Sequence, residues 1–365
     1  MKKRIRNLAK ILAMTMILAL LAACGGQQTS NEPAAGSGAE SPAAPSDDGR
    51  VYTMRIGAIA ALPTAQAVFI EELVDIIDEA TNGRIKVEAY HSGTLGTVAQ
   101  MIQGLQDGSV EGVSVPINFY VSSVPEIAVL GLPMIFRDAD HLYDLTRTKG
   151  NGLHEMLAEL LEDKGFVMGC WNIAFPMLIL ANRPVATLED FNGLRVWCQP
   201  NAQVAAAFNA LGAVPVNFDT GDLAIGLQQR TVDAAYTSAQ LLGPMRLHET
   251  AKHMFIFNPA MHIGVNTVML SKVFVDSLPG DLREILLDTL YRADEEVYYD
   301  LAVNSHGNSY NAMTGADGMT IVYSDDAMTE NLKQLMEPIY EEFLNTTPTA
   351  RPLYEKVLEL IAAEG

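Results

Sequence analysis

Hydrophobic and polar residues along 188–218 follow the pattern of one β-α-β unit. A polar turn precedes a short apolar strand, Pro200 and Asn201 break that strand and begin an Ala-rich helix, and a second strand follows Gly212. Turn, strand, helix and strand cover residues 190–193, 194–198, 201–212 and 215–218. In sheets built from such units, ligands bind beyond the strand ends, where helices begin. We therefore expect a ligand near the start of this helix.

The same alternation of apolar runs and helical periodicity continues through most of the chain after residue 50. Further strands are predicted over 52–60, 85–90, 110–115, 166–171, 177–181, 261–270 and 319–323. Further helices are predicted over 65–80, 97–107, 139–146, 152–164, 238–250, 281–306, 327–345 and 352–363. This mixture predicts an α/β fold with mixed sheets.

The first 50 residues have the pattern of an export signal and a tether. A basic start is followed by the apolar run Ile11 to Ala23, which is too short to span a bilayer. The run ends in Leu21-Ala-Ala-Cys24, which resembles the lipoprotein cleavage box. Residues 24–50 are rich in Ala, Ser, Pro and Gly and predict a disordered linker. We expect cleavage before Cys24 and its acylation; an ordinary cleaved signal with an incidental cysteine is the alternative.

Net charge and cysteine content narrow the class of partner. The formal net charge is −20, and removal of the basic signal would make it more negative. Such a surface repels phosphate backbones, so we expect no nucleic-acid partner. Apart from Cys24, the sequence contains Cys170 and Cys198, each beside a tryptophan in a predicted strand. A disulfide between them and two buried free thiols both remain open.

Local motifs for catalysis or metal binding are not found in the sequence. His248-Glu249 with His253 approaches a zinc-binding helix, but that motif needs histidines four residues apart. A spacing of five places the two side chains about 140° apart around a helix. No nucleophile elbow, phosphate-binding glycine loop or C-x-x-C pair occurs. We therefore expect no catalysis, metal or cofactor, although a triad dispersed along the chain would escape such a search.

Several segments resemble the solute-binding proteins of TRAP (tripartite ATP-independent periplasmic) transporters. The motif D-x-x-G-L-[KR], followed by a helix and G-A-x-P, occurs at 190–195 and 212–215. A second motif of that family, L-Q followed by V-D, occurs at 227–228 and 232–233. The order of segments around 81–96 also resembles its N-terminal lobe. The resemblance covers nearly all of residues 51–350.

The resemblance implies a two-lobed, periplasmic-binding-protein-like fold with mixed sheets, hinge strands and a long lobe-spanning helix. The implied order is a lipoprotein signal peptide at 1–23, a lipidated cysteine and disordered linker at 24–50, lobe I at 51–174 completed by about 263–302, and lobe II at 175–262 completed by about 303–365. Because two or three strands pass between the lobes, we expect a hinge that closes them like a clamp.

The resemblance also assigns candidate ligand-binding residues. Members of the family grip a substrate carboxylate with an arginine, and the matching position here is Trp197. Other pocket positions of the family fall at Met177, Tyr236, Thr237 and Pro116. We also expect Trp171 beside them, and Asn118 at the cleft from its loop position alone. Two alternatives stay open: Trp197 turns inward to fill core, and Arg195, two residues earlier on the same strand, takes over the carboxylate or remains a solvent-side cation.

A solute-binding function follows from the resemblance. We expect a monomeric, lipid-anchored extracytoplasmic protein that captures a small organic solute and delivers it to TRAP membrane subunits, which the family powers with an ion gradient. Because an indole supplies no charge, we expect a neutral, aromatic or cationic solute rather than a simple dicarboxylate. The alternatives are a receptor that presents ligand to a sensor kinase, and a secreted enzyme on a bilobed scaffold.

Overall fold

The computed structural model describes residues 49–364, apart from the side chains of residues 173–175. The expected signal peptide, the lipidation site at Cys24 and nearly all of the expected linker lie outside the described residues. None of the described helices is long and apolar enough to cross a membrane.

Ten strands of the described residues form one mixed sheet. They are β1 Tyr52–Ala58, β2 Ile85–Tyr90, β3 Gly112–Ser114, β4 Phe166–Ala181, β5 Arg195–Cys198, β6 Val214–Val216, β7 Ala234–Ser238, β8 His253–Ile256, β9 Ile263–Ser271 and β10 Thr320–Tyr323. Their order is β2-β1-β3-β9-β4-β7-β5-β6, and β8 pairs with both β4 and β10. The parallel pairs β1–β2, β1–β3, β5–β6 and β5–β7 give the sheet its α/β character, while β4 and β9 run antiparallel.

Strand β4 divides this sheet between the two lobes of the fold. Its first part, residues 166–176, pairs with β9 in the first lobe. Its second part, residues 177–181, lies between β7 and β8 in the second lobe. The sequence predicts two separate strands here, whereas the structure has one strand with register shifts on either side of residues 170–173. Strands β4 and β9 therefore form the connection between the lobes.

Twelve α-helices cover the sheet within the described residues. They are α1 Ala65–Ala80, α2 Val98–Asp107, α3 Ala139–Arg147, α4 Leu153–Glu162, α5 Ala202–Ala210, α6 Leu223–Gln228, α7 Ala239–Leu242, α8 Lys272–Ser277, α9 Gly280–Ala293, α10 Tyr299–Thr314, α11 Asp326–Thr346 and α12 Arg351–Ala363. The helix expected over 238–250 is wrong in extent, because Gly243 and Pro244 follow α7 and only a 3₁₀ turn, Leu247–Glu249, continues it.

The long helix expected to pass between the lobes is α9 and α10, joined by a π-helical turn, Asp294–Tyr298. Leu286 and Leu290 of α9 are fully buried in the first-lobe core. Met313, near the end of α10, is fully buried in a second-lobe core with Leu178 and Trp197. Because one continuous helix is anchored in both cores, a change in lobe angle must be accommodated along it.

The second-lobe sheet has a core on each face, because side chains alternate along its strands. On one face, Ile179 of β4, Val196 of β5 and Tyr236 of β7 pack with aromatic residues of α5 and the loops. On the other face, Leu180 and Trp197 pack with α6 and α7. The face on which a residue lies therefore decides whether it can reach the cleft described below.

Candidate functional site

A small cavity lies where the two lobes meet, at the carboxyl ends of β5 and β7. Its lining residues are Asn118, Met177, Cys198, Gln199, Asn201, Val204, Tyr236, Thr237 and His262. The volume is about 30 Å³, which is room for about two water molecules. Asn118 comes from the first lobe, His262 from the segment that returns to it, and the others from the second lobe.

The start of helix α5 forms one wall of this cavity. Asn201 is its N-cap, and the Asn201 Oδ1 atom accepts a hydrogen bond from the Val204 amide at 3.0 Å. Such a cap replaces one of the hydrogen bonds that the first turn of a helix lacks. The side-chain amide of Asn217 donates to the Cys198 carbonyl at 2.9 Å and fixes the end of β5. The expected location of a ligand, near the start of this helix, therefore coincides with a cavity.

One hydrogen bond joins the two lobes beside the cavity. Asn118 Nδ2 donates to the Pro200 carbonyl at 3.0 Å. Asn118 follows β3 in the first lobe, whereas Pro200 lies between β5 and α5 in the second. This bond can exist only when the lobes approach each other, so Asn118 is both a wall of the cavity and a contact between the lobes.

Two titratable side chains, the half-buried His262 and the buried Tyr236, line the cavity. Burial lowers the pKa of His262 to about 4, so its imidazole is neutral at neutral pH. His262 Nε2 lies 3.5 Å from Asn201 Nδ2, which suits a neutral imidazole accepting a weak hydrogen bond. Burial also raises the pKa of Tyr236, whose hydroxyl lies beside the His262 backbone but makes no well-formed hydrogen bond to the described residues. A solute in the cavity would therefore meet uncharged hydrogen-bonding groups.

The described cavity wall contains no lysine, arginine or carboxylate. Its polar atoms belong to amides, hydroxyls and an imidazole, while Met177, Val204 and Cys198 supply apolar surface. Burial raises the pKa of the Cys198 thiol to about 11, so this cysteine is uncharged as well. The arrangement can hydrogen-bond a small polar molecule but offers no compensating charge to an ion.

Four of the residues expected from the sequence meet at this cavity: Asn118, Met177, Tyr236 and Thr237. The remaining lining residues are Cys198, Gln199, Asn201, Val204 and His262, which were not among the expected pocket residues. Residues 198–204 lie at the strand end and helix start that predicted a ligand position, so that signal could have identified them. No local pattern points to His262, which reaches the cavity through the pairing of β4 with β9.

The expectation that Trp197 faces the cleft is corrected by the structure. Only 1% of Trp197 is exposed, and it lies in the core formed with Leu178 and Leu227. Its indole Nε1 donates to the Phe218 carbonyl at 3.0 Å. The reason is strand alternation, since Cys198 points to the cavity face and its neighbour must point away from it. The inward, core-filling alternative is therefore the one the structure supports.

Three other expected pocket residues also lie away from the cavity. Trp171 is 3% exposed and packs in the first-lobe core. Pro116 forms a bridge with Asn266 at the start of a 3₁₀ turn, and it does not line the cavity. Arg195 makes two side-chain hydrogen bonds with Asp233, at 2.9 and 2.8 Å, and the hydrogen bonds from Arg195 lower the pKa of that carboxyl. Of the two alternatives for Arg195, the structure therefore supports the solvent-side cation.

The described residues contain no cluster of three His, Cys, Asp or Glu side chains that could hold a metal ion. Cys170 and Cys198 are both buried and free, so the disulfide alternative is not what the structure contains. The cavity and the hydrogen bonds around it are the features of the cleft that bear on binding.

Comparison with known families now assigns the chain. Residues 56–347 match the model of the bacterial extracellular solute-binding proteins, family 7. The chain belongs to this family. The expected membership among TRAP solute-binding proteins and the two-lobed α/β fold are thereby confirmed.

Curated relatives are about a quarter identical to this chain over the aligned residues. The C4-dicarboxylate-binding periplasmic protein of Rhodobacter capsulatus is 29% identical over 57% of this chain and 62% of its own length. The alignment thus leaves more than a third of that relative unmatched. The 2,3-diketo-L-gulonate-binding periplasmic protein of Escherichia coli is 24% identical over 66% of this chain and 72% of its own. The sialic acid-binding periplasmic protein of Vibrio cholerae is 23% identical over 80% of this chain and 88% of its own length.

Solved structures agree on the fold. A TRAP periplasmic solute-binding protein of Desulfovibrio salexigens with bound orotic acid superposes with a TM-score of 0.77 at 20% identity, covering 86% of this chain and 99% of its own. A second TRAP periplasmic solute-binding protein, from a Sulfitobacter species with bound β-D-galacturonate, superposes with a TM-score of 0.75 at 20% identity. It covers 84% of this chain and 99% of its own. At such identities the likeness shows the fold alone. The chain is therefore an extracytoplasmic solute-binding protein by family.

Proposed function

We propose that this protein captures a small organic solute in the interlobe cavity and delivers it to TRAP membrane subunits. The observation that carries the proposal is the cavity itself: it lies between the lobes of a member of a solute-binding family and is lined by Asn118, Tyr236, Thr237 and His262. Burial of a solute among such groups would supply affinity without any bond being made or broken. An expected non-enzymatic role is in keeping with the solute-binding relatives.

Capture requires the lobes to move. Pockets for small molecules have volumes of about 300–1,000 Å³, whereas this cavity has about 30 Å³. A solute of several heavy atoms therefore fits only if the walls separate, and the bond between Asn118 and Pro200 is one contact that must break. Opening along β4, β9 and the α9–α10 helix would admit the solute, and closure would signal occupancy to the membrane subunits.

The proposed solute is a neutral or aromatic molecule rather than a simple dicarboxylate. Although Trp197 lies in the core, the cavity wall supports this class, because it has no described lysine or arginine and its His262 is neutral. The cationic class expected from the sequence is not supported by this wall, because it has no described carboxylate either. A buried carboxylate without a cationic partner costs several kcal/mol because its hydration is not replaced. Relatives named for C4-dicarboxylate, 2,3-diketo-L-gulonate and sialic acid would then differ from this chain in solute class.

A screen by thermal shift tests the solute class directly. The protein would be mixed with neutral polyols and nucleosides, amines, aromatic solutes and dicarboxylates, because a bound solute raises the unfolding temperature by mass action. Hits would be confirmed by calorimetry on Asn201→Ala, with Asn209→Ala, an exposed residue of the same helix, as the matched control. Binding of dicarboxylates alone would overturn the solute class, and hits unaffected by Asn201→Ala would overturn the site.

We further propose that the protein is monomeric and anchored by lipid on Cys24 to the outer face of the cell membrane. The supporting observation is the sequence Leu21-Ala-Ala-Cys24 after an apolar run, followed by the linker to the folded domain. A tether of this composition would let the domain range over the membrane surface. Cell fractionation of Cys24→Ser tests the anchor: we expect release from membranes, and unchanged membrane association would rule it out.

A further inference from the structure

The carboxyl group of Asp294 is buried in the long helix, before that helix crosses from the first-lobe core to the second. Asp294 is 2% exposed and begins the π-helical turn Asp294–Tyr298 that joins α9 to α10. Turns of this kind interrupt the regular hydrogen bonds of a helix and often occur where it bends or carries function. Tyr298 of this turn and Ala302 of α10 pack in the first-lobe core, and α10 reaches the second-lobe core at Met313, so the turn lies on the first-lobe side of the crossing. We call it the pivot turn.

The same carboxyl is bound to the strand that connects the lobes. Asn172 Nδ2 donates to Asp294 Oδ1 at 2.7 Å, and the Tyr143 hydroxyl donates to Asp294 Oδ2 at 3.1 Å. The backbone of Trp171 also lies close enough to lower the pKa of this carboxyl. Asn172 and Trp171 both belong to β4, next to its register shifts. Asp294 therefore ties the pivot of the helix to the hinge strand.

One buried acceptor beside this carboxyl has no donor. Asn172 is fully buried, and its Oδ1 atom makes no hydrogen bond to the described residues. An ionised carboxylate has only acceptors, whereas a protonated carboxyl has one O–H group to donate. A proton on Asp294 would thus add one donor to a buried cluster that contains an acceptor without a partner. It would also remove the cost of a buried anion.

No cation contacts the carboxyl among the described residues. The nearest one, Arg147, stacks on the rings of Tyr143 and Tyr291 at 5.0 and 4.4 Å and pairs with Glu295 at 3.1 Å. Burial raises the pKa of Asp294 to about 7, against the opposing effects of its hydrogen bonds and of Arg147.

Apart from the ion pair of Arg147 and Glu295, the groups around the carboxyl are neutral in the physiological range. The titratable or charged groups, by element, are Tyr143 and Arg147 on α3, Cys170 on β4, and Glu295 and Tyr298 in the turn itself. Burial raises the pKa values of Tyr143, Cys170 and Tyr298. Helix α1 presents the apolar ring of Phe69 to Tyr298, and β9 presents the neutral amide of Asn266. Asp294 is therefore the group whose charge would change here near neutral pH.

We propose that Asp294 is a proton-binding site that makes the movement of the lobes depend on pH. The protonated carboxyl holds the pivot turn against β4, as in the arrangement described here. Release of the proton to solvent leaves a buried anion. The free-energy cost of burying that anion is removed when the turn separates from β4 and the carboxyl is hydrated. By linkage, acid stabilises this arrangement and alkali favours the separated one, whatever the solute.

Fluorescence of Trp171 tests the proton site. Trp171 and Trp197 are the only tryptophans, so Trp197→Phe leaves an emitter whose backbone lies beside Asp294. We expect its emission to titrate with a midpoint near the pKa of about 7. Asp294→Asn should abolish the titration, because an amide resembles the protonated acid, and Glu296→Gln, an exposed residue of the same turn, should keep it. A titration that survives in Asp294→Asn, or is missing from the parent, overturns the proton site.

A second variant covers the case in which Asp294→Asn does not fold. Tyr143→Phe removes one donor to the carboxylate, so the midpoint should rise. If Trp197→Phe itself does not fold, the emission can be titrated in the chain with both tryptophans, and the Asp294 and Tyr143 variants are then compared with the parent by difference. An unchanged midpoint in Tyr143→Phe would overturn the site.

Small-angle scattering at about pH 5.5 and about pH 8.5 tests the movement, since most of Asp294 changes charge between these values. We expect a larger radius of gyration for the parent at the higher pH, the same increase in Glu296→Gln, and none in Asp294→Asn. Equal radii for the parent at both values would overturn the coupling to lobe movement. Because no solute is present, this result is independent of whether the proposed solute class is right.

Discussion

Two neighbouring residues of β5, Trp197 and Cys198, lie on opposite faces of the second-lobe sheet, and the two faces differ in how they satisfy polar groups. On the Trp197 face, the indole nitrogen is hydrogen-bonded to Phe218 and the ring is enclosed by leucines. On the Cys198 face, the strand end opens into the cavity, where Tyr236 has a buried hydroxyl without a well-formed hydrogen bond. The first face contributes stability, and the second keeps polar groups available for a solute.

The largest expected effect comes from removing the indole of the packed face. Trp197→Ala should lower the free energy of unfolding by about 3–5 kcal/mol, the usual range for a fully buried tryptophan, while solute affinity in the molecules that remain folded changes little. Urea denaturation and calorimetry measure the two quantities. Trp197→Phe is the matched control and should lose about 1 kcal/mol with the indole hydrogen bond. A stable Trp197→Ala variant with weak binding would show that the indole faces the solute after all.

The next effect belongs to the cavity face and depends on pH. The pKa of His262 is lowered to about 4, below its value of about 6.5 in an unfolded chain. Between these values the unfolded chain binds more protons, so stability is lost as pH falls from about 6.5 to about 4, by up to about 3 kcal/mol. His262→Gln should flatten the pH profile in that window, measured by urea unfolding, whereas His248→Gln, outside the cavity, should not. A profile unchanged by His262→Gln would show that the imidazole is not held neutral at this wall.

The difference between the two faces also marks what the sequence can and cannot predict. The β-α-β unit and the long helix follow from local periodicity, whereas the two lobes and their hinge strands are implied by the family resemblance; the structure contains all of them. Which of Trp197 and Cys198 faces the cavity is a difference of one residue, and pairing of β5 with β6 and β7 decides it. His262 could not be found locally either, because tertiary pairing of β9 with β4 brings it to the cavity.

A smaller effect is expected from the Tyr236 hydroxyl. Tyr236→Phe keeps the ring packed against Phe208 and Phe257, so stability should stay within about 0.5 kcal/mol of the parent. If a solute uses the hydroxyl, affinity should fall by about 0.5–1.5 kcal/mol, the net worth of one neutral hydrogen bond. Calorimetry with a solute from the screen measures this loss. A large loss of stability with unchanged affinity would mean that the hydroxyl belongs to the core, and the contrast between the two faces would be weaker.

The smallest effect on binding is expected from Arg195, the remaining candidate for a carboxylate grip. Both hydrogen bonds of its guanidinium side chain to Asp233 hold it away from the cavity, so Arg195→Ala should leave solute affinity unchanged within the error of calorimetry. The effect of Arg195→Ala should appear in the free energy of unfolding. The Arg195 hydrogen bonds keep the pKa of Asp233 low, so the stability that they provide is present at neutral pH and is lost as acid protonates that carboxyl. Asp233→Asn is the matched control, because it removes the carboxyl that holds the guanidinium. If Arg195→Ala instead abolishes binding of an organic acid that Trp197→Ala still binds, the carboxylate grip lies two residues earlier on β5 and the proposed solute class is wrong.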